Sequence, residues 1–393
     1  MKECVFCGVK FDFKNNSLEH IIPQSLGGVL KARGVLCKNC NNKLGGNIDN
    51  KLYEYFKIFD CLFGIKKERQ TKGSFMKSTI NGEEVRLYPG CQIYSPLKIE
   101  HIEKKSDEEV SIKSSWRIPK DNKKLFNETM EQANKFVEKN FPGQKFKSEI
   151  SNETYATLET LEIQGYSNYV DLLIGYFKIA ICFCAFYNKL HVIDKEVLKI
   201  AKDISLICDN KNNEDNKNDI YNRILVFTYG LQQARFLTNI ASHRIHLICD
   251  DKSQKVYIII GLFESNHLLF ILNNNYQGNY ERKDYIYDFI RCNELEEVQC
   301  FDNIFNEVIS MEDKIKSSEL DINLAFKHIS NFVVKDLIEI ISEIHNLGLY
   351  NISDMQFKDR IFEKLTKIDM YKNNPFLFNI CCSLIDGFNL KLK

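Results

Sequence analysis

The chain lacks an excess of charge of either sign. Its 393 residues include 53 Lys and Arg against 53 Asp and Glu. A protein that binds a polyanion over its whole surface carries a basic excess, so any nucleic-acid surface here has to be local. Residues 1–50 have such a local excess, with seven Lys or Arg against four acids, a net charge of +3.

A long apolar run free of charges is also lacking. Residues 169–187 approach the length of a membrane span, which needs about 20 apolar residues. However, Asp171 and Lys178 interrupt the run, and a charged side chain in hydrocarbon is costly. We therefore expect a helix buried in a protein core and no membrane partner.

No secretory signal pattern precedes the first cysteine. Fourteen cysteines would indicate disulfides in a short secreted chain, but here we expect a reducing, cytoplasmic location. Cys182, Cys184, Cys381 and Cys382 lie in apolar runs. We expect these four to pack as small hydrophobic side chains.

The length allows two or three domains, and the pattern changes near residues 60 and 120. Residues 1–60 are rich in Gly, Cys and Asn, so a core there needs a staple. Residues 61–120 alternate as strands do and contain an Asn-Gly hairpin signal, which predicts an antiparallel β linker region. Residues 121–393 predict a mostly helical α+β domain for substrate selection, regulation or oligomerisation.

Within the larger domain, apolar spacing predicts both element types. Three strand-like runs between residues 243 and 276 predict a meander. The spacing of apolar residues predicts helices over 121–141, 167–189, 193–207, 218–240 and most of the chain after 283. The overall prediction is an α+β protein in which a small zinc-stapled module precedes a mostly helical domain with short antiparallel sheets.

Two Cys-x-x-Cys pairs lie within the first forty residues, at Cys4 and Cys7 and at Cys37 and Cys40. Each pair can present two thiolates from a tight turn, and four thiolates complete a tetrahedral shell with no open position. In a cytoplasmic chain this spacing is typical of structural zinc.

An acid and a histidine stand together between the pairs, as Glu19 and His20 in "SLEHIIPQSLGG". At a strand end, an acid can bind a divalent ion while the neighbouring imidazole takes a proton from water. Pro23 and the following Gly-Gly turn end such a strand. His243 and His246 have no acid or Cys at ligand spacing, so we expect them to pack or lie at the surface.

The series Cys-x-x-Cys, "EHIIPQSLGG" and "LCKNCNNKLGG" resembles the HNH endonuclease family, over about residues 4–50. The resemblance implies a ββα-metal fold in which Glu19 and Asn41 bind the catalytic ion and His20 is the general base. Asn42 is the alternative to Asn41. Asp49 could reach the ion or act structurally at a helix end. Carboxylate and amide oxygens suit Mg²⁺ or Mn²⁺.

One position departs from the family pattern. The family commonly has a middle Asn before the third cysteine, which braces the loop and orients the histidine, and Ala32 stands at that spacing. Either the brace comes from elsewhere or activity is reduced.

These features predict a divalent-metal-dependent endonuclease that hydrolyses DNA, in an arrangement that suits defence against foreign DNA. RNA is the alternative substrate. A non-catalytic zinc-stapled module that binds nucleic acid or protein is the alternative function. A homodimer and an activating ligand or partner protein remain open.

Overall fold

The structure is a computed structural model of the chain. It describes residues 3–68, 75–80, 83–89, 92–104, 110–118, 123–142, 161–163, 168–208, 214–230, 242–263, 266–289, 292–294, 363–365 and 367.

The N-terminal module, residues 4–63, begins with two short strands, β1 (Glu19–His20) and β2 (Lys31–Ala32). They pair antiparallel, with Glu19 opposite Ala32 and His20 opposite Lys31. Since successive side chains of a strand point to opposite sides, Glu19 is buried whereas His20 is only partly covered. The side chains of Glu19 and His20 therefore lie on opposite sides of strand β1.

Two glycines turn the chain between these strands, as predicted. Gly27 ends a 3₁₀ turn (Gln24–Leu26) with φ at +85°, a conformation that favours glycine. At Gly28 a Cβ would lie 2.0 Å from the carbonyl oxygen of Ile22. Only glycine allows that close approach of the two backbones.

One continuous helical segment completes the module. Helix α1 (Lys38–Leu44) passes through a π-helical turn (Gly45–Asp49) into helix α2 (Asn50–Phe63). Gly64 ends α2 with φ at +61°, the usual left-handed stop. The order of two strands and a helix agrees with the predicted module, although each strand has only two residues.

A five-stranded antiparallel sheet follows, in the order β6-β5-β4-β3-β7. The hairpin of β3 and β4 is confirmed by its pairing, while its Asn-Gly turn lies outside the described residues. The thiol of Cys61 on α2 donates to the carbonyl of Leu87 at 3.4 Å, which ties this sheet to the module. The strands are β3 (Met76–Ile80), β4 (Glu83–Tyr88), β5 (Gln92–Lys104), β6 (Val110–Arg117) and β7 (Leu161–Ile163).

Helix α4 (Tyr169–Phe186) is the central helix of the larger part. It contacts α2, α5, α6 and β10. It is the one described helix long and apolar enough to cross a membrane, yet 15 of its 18 residues are buried within the protein. This agrees with the prediction of a core helix. The other helices are α3 (Lys123–Asn140), α5 (Lys195–Ile207) and α6 (Glu214–Leu225), with a 3₁₀ turn at Leu190–Val192.

A second antiparallel sheet of six strands packs against α4, in the order β13-β12-β9-β10-β11-β8. Its central part, β9-β10-β11, is the predicted meander. The strands are β8 (Thr228–Gly230), β9 (Ser242–Asp250), β10 (Lys255–Leu262), β11 (Asn266–Asn273), β12 (Glu281–Asp288) and β13 (Asn293–Glu294).

The prediction of a mostly helical larger domain is wrong for the described residues after 120, which include strand β7 and the whole six-stranded sheet. The helix predicted over 218–240 ends at Leu225 and is followed by strand β8. At the start of the stretch predicted as helix from about 283, the chain forms β12 and β13 instead; residues 363–365 and 367 are helical, and the rest of that stretch lies outside the described residues. Pairing of β12 with β9 overrides the local pattern, as tertiary context commonly does for strands. The predicted boundaries at 60 and 120 stay predictions.

Candidate metal centre and catalytic site

Backbone turns shape both cysteine pairs. In the first, the amide of Cys4 donates to Val9 O at 2.9 Å and that of Gly8 to Cys4 O at 2.8 Å. In the second, Cys37 caps helix α1, and its sulfur accepts from the amide of Cys40 at 3.4 Å. Each pair of thiols is therefore held on one short turn.

The four Sγ atoms of Cys4, Cys7, Cys37 and Cys40 lie within 4.8 Å of one another. Those of Cys7 and Cys37 are 3.6 Å apart. Tetrahedral zinc with Zn–S bonds of about 2.3 Å requires sulfurs about 3.8 Å apart, so the cluster fits structural zinc. Within the described ranges, no other group of three or more His, Cys, Asp or Glu is close enough to hold an ion.

The zinc cluster is covered by the larger part of the chain. Cys7 is exposed, while the other three cysteines are buried. The hydroxyl of Ser205 on α5 lies 3.6 Å from Cys40 Sγ. A hydrogen bond from Cys40 outweighs burial and lowers the pKa of Cys4 to about 4, and the same bond raises the pKa of Cys40, so these two sulfurs share one proton.

Glu19 does not face solvent. Its side chain is 3% exposed, and its Oε1 lies 2.7 Å from the Nζ of Lys178 on α4. The same ammonium donates to both carboxylate oxygens of Asp49, each at 2.7 Å. One buried cation therefore serves two carboxylates, one on strand β1 and one at the π-helical turn.

The pKa shifts follow from this arrangement. Burial alone would lower the pKa of Lys178, but Asp49 and Glu19 outweigh it and hold the pKa above its ordinary value. Lys178 is therefore charged at pH 7. Burial raises the pKa of Glu19, Lys178 opposes that rise, and Asp49 adds to it.

His20 points the other way. Its side chain is 21% exposed, and its Nε2 lies 3.5 Å from the carboxylate of Glu68, which also pairs with Lys31. Burial lowers the pKa of His20 and Glu68 partly offsets that effect. The imidazole is therefore neutral at pH 7, the form that a general base needs.

Asn41 braces the segment before Glu19. Its amide nitrogen donates to Ser17 Oγ at 3.2 Å and to the carbonyl of Leu18 at 3.3 Å. Asn42 is exposed. The structure thus links Asn41, not Asn42, to the strand that carries Glu19 and His20.

A second asparagine supplies bracing where Ala32 replaces the usual middle Asn. The Oδ1 of Asn16 accepts from the amide of Gly34 at 2.7 Å, which connects the two sides of the loop. Ala32 itself is buried. Together with Asn41, Asn16 gives the loop bracing from elsewhere in the chain.

Three residues at this site escaped the sequence reasoning. Lys178 appeared only as a charge that argues against a membrane span, although a lysine inside an apolar run is itself a signal of a buried partner. Glu68 and Ser205 have no such signal, because only the fold brings them to His20 and Cys40.

Of the two predicted ligands of the catalytic ion, Glu19 does not fit a divalent cation in this arrangement. Its carboxylate is buried against an ammonium, while the bonds of Asn41 to the loop are donated by its Nδ2 and do not occupy the Oδ1 that would bind an ion. Mg²⁺ needs near-octahedral oxygen ligands at about 2.1 Å and keeps several waters. A buried carboxylate already paired with a lysine does not provide that environment.

The histidines of the meander are placed as packing residues. His243 lies 2.9 Å from the carbonyl of Leu26 through Nε2, and so links strand β9 to the N-terminal module. His246 lies 2.6 Å from Asp284 on β12. Neither belongs to a described metal cluster.

Comparison with known families matches residues 4–57 to the HNH endonuclease family. Neither the curated proteins nor the solved structures give a match to the chain. The matched residues include all four cysteines and the strand with Glu19 and His20. Residues 4–57 therefore form an HNH endonuclease family module.

Proposed function

We propose that the chain is an endonuclease that hydrolyses phosphodiester bonds of DNA, with His20 as its general base. The observation that carries this proposal is the orientation of strand β1 in the matched segment. Glu19 turns into the core, whereas His20 lies on the other side of the strand, with a side chain that is 21% exposed and an Nε2 that is covered beside the Glu68 carboxylate.

The chemistry assigned to His20 is proton removal from water. Once Glu68 is displaced, the Nε2 takes the proton as the water oxygen forms a bond to phosphorus. The bond from phosphorus to the 3′ oxygen then breaks, and that oxygen takes a proton from solvent water. Removal of such a base typically lowers the rate about 10²- to 10⁴-fold.

Lys31 is placed to contact the phosphate. It lies opposite His20 in the strand pair, and its ammonium now pairs with Glu68. Since Glu68 lies against both Lys31 and His20, a phosphate that enters has to displace this carboxylate. Lysine provides a point charge for a phosphate oxygen.

The HNH resemblance implies that the reaction would use Mg²⁺ or Mn²⁺, because such an ion would stabilise the charge that develops on phosphorus and on the leaving oxygen. In this arrangement the Oε1 of Glu19 is paired with Lys178. The steps above therefore use only side chains of the protein.

The residues beyond the module would select the substrate or regulate the nuclease, and defence against foreign DNA is the context we propose. A cytoplasmic location fits four free thiols that serve as zinc ligands, since such thiols need reducing conditions. RNA is a second substrate class, because attack on phosphorus by this site does not use the 2′-hydroxyl.

One observation favours a different function, a zinc-stapled binding module without turnover. Glu19, the predicted metal ligand, is instead in an ion pair with Lys178. In that case the module would recognise nucleic acid or protein through its basic surface.

Cleavage of plasmid DNA by the purified chain tests the proposal. Reactions contain Mg²⁺, Mn²⁺ or EDTA, and a parallel series uses RNA. Metal-dependent nicking of the plasmid supports a DNA endonuclease, and cleavage confined to RNA changes the substrate. No cleavage of either, together with binding of DNA in a mobility-shift assay, supports the binding module.

A further inference from the structure

Three carboxylate oxygens surround the Nζ of Lys178. Glu19 contributes one at 2.7 Å, and Asp49 contributes two at 2.7 Å each. The Lys178 side chain is 1% exposed. The position next to Glu19 that the HNH resemblance gives to a divalent ion thus holds an ammonium supplied by the chain itself.

An ammonium and a divalent ion cannot share this position. Nitrogen to oxygen distances of 2.7 Å fill the space in which a metal would bind the same oxygens at about 2.1 Å. A divalent ion placed beside the ammonium would add two positive charges next to an existing one in a buried environment, where repulsion is strong.

The packing of α4 holds the ammonium in place. Gly175, one turn before Lys178, lies where a Cβ would be 2.9 Å from Leu52 of α2. Leu52 is in turn one helical turn after Asp49, on the same side of that helix. The close approach of the two helices therefore aligns Lys178 with Asp49.

We propose that the Lys178 ammonium is the resident cation of the Glu19 carboxylate, and that it excludes a divalent ion from Glu19 while α4 keeps this position. The inference concerns which cation the carboxylates hold. It goes beyond the proposed nuclease function and does not require that the chain cleave nucleic acid.

The first experiment titrates the zinc-loaded full chain with Mn²⁺, without nucleic acid, and measures free Mn²⁺ by electron paramagnetic resonance. Mn²⁺ prefers oxygen ligands and does not displace zinc from thiolates. Wild type and Glu19→Gln are expected to bind the same amount of Mn²⁺. A Mn²⁺ site present in wild type and lost in Glu19→Gln would overturn the proposal.

The second experiment removes the ammonium. Lys178→Met is expected to gain one equivalent of bound Mn²⁺, and the double variant Lys178→Met, Glu19→Gln is expected to lose it again. Lys67→Met is the matched control, because Lys67 also pairs with a buried carboxylate, that of Asp60, away from Glu19. This control is expected to gain no Mn²⁺ that depends on Glu19.

The two experiments fail in different ways. A folded Lys178→Met protein without Glu19-dependent Mn²⁺ binding would show that Lys178 is not what excludes the ion, and would contradict the proposal. The wild-type comparison needs no change at Lys178, so it decides even where that variant does not fold. Plasmid cleavage is scored separately, so loss of the nuclease proposal leaves these readouts intact.

Discussion

The Nζ of Lys178 lies 2.7 Å from Oε1 of Glu19, and both side chains are buried. This ion pair joins the N-terminal module to the central helix of the larger part. The two adjacent residues of strand β1 therefore lie in different environments. Glu19 is buried and connects the module to the core, whereas the side chain of His20 is partly exposed. The zinc cluster, covered by α5 through Ser205, is the second connection between the two parts.

Breaking the buried ion pair is expected to destabilise the protein strongly. Lys178→Met leaves two carboxylates without their cation, and removal of one partner of a buried pair costs about 3–5 kcal/mol. In the Glu19→Gln background the same change should cost less, since one of the acids is neutral. Urea unfolding of the four proteins measures the coupling, and equal costs in both backgrounds would show that no such pair exists.

Replacement of Cys37 tests the zinc cluster. Cys37→Ser removes one of four thiolates, so the chain should lose its zinc and the folding energy that the metal contributes. Zinc content by mass spectrometry and the melting temperature are the measurements. Cys208→Ser is the control, because this cysteine lies outside the cluster. Full zinc content in Cys37→Ser would refute the four-cysteine site.

Glu68→Gln is expected to shift the pH dependence of cleavage. Burial lowers the pKa of His20, and Glu68 partly raises it, so loss of the charge lowers the pKa further. A base is active when neutral, above its pKa, and the acidic limb of the rate profile should therefore move to lower pH. An unchanged limb would separate Glu68 from His20.

The matched control for that experiment is Glu54→Gln. Glu54 pairs with Lys57 on helix α2 and does not contact His20. The same pair of variants tests phosphate contact, because Glu68→Gln releases Lys31 from its partner. DNA affinity at low salt should rise in Glu68→Gln and stay constant in Glu54→Gln.

His243→Phe is expected to loosen the contact between the module and strand β9. The imidazole Nε2 donates to the carbonyl of Leu26 at 2.9 Å, and Nδ1 accepts from the amide of Phe263 at 3.4 Å. Leaving such buried groups unsatisfied costs about 1–3 kcal/mol. Urea unfolding measures the loss. His191→Phe, at an exposed position, should leave stability unchanged, and equal stability of both variants would argue against this contact.

Local patterns predicted the four-cysteine cluster and the turn that follows strand β1, whereas the catalytic roles of Glu19 and His20 stay predictions. Two Cys-x-x-Cys turns need only short-range geometry, and the Gly27 and Gly28 turn requires glycine for steric reasons. The meander could also be predicted, because its three apolar runs follow one another directly in the sequence. Each of these features depends on residues close together in the chain.

The partners of Glu19 and His20 could not be predicted in the same way. Lys178 and Asp49 are 129 positions apart, and no spacing rule links them. Strand β12 has a weak apolar pattern, and its pairing with β9 decides its structure. Long-range pairing of this kind requires the tertiary fold, so the ion pair of Glu19 with Lys178 could be found only in the structure.

The most direct test of the central claim is plasmid nicking by wild type and by His20→Ala, with Mn²⁺ present. The variant should keep its zinc and its melting temperature, because His20 is partly exposed and lies outside the core, and its nicking rate should fall about 10²-fold or more. Nicking at the wild-type rate by a folded, zinc-loaded His20→Ala protein would contradict the assignment of His20 as the general base.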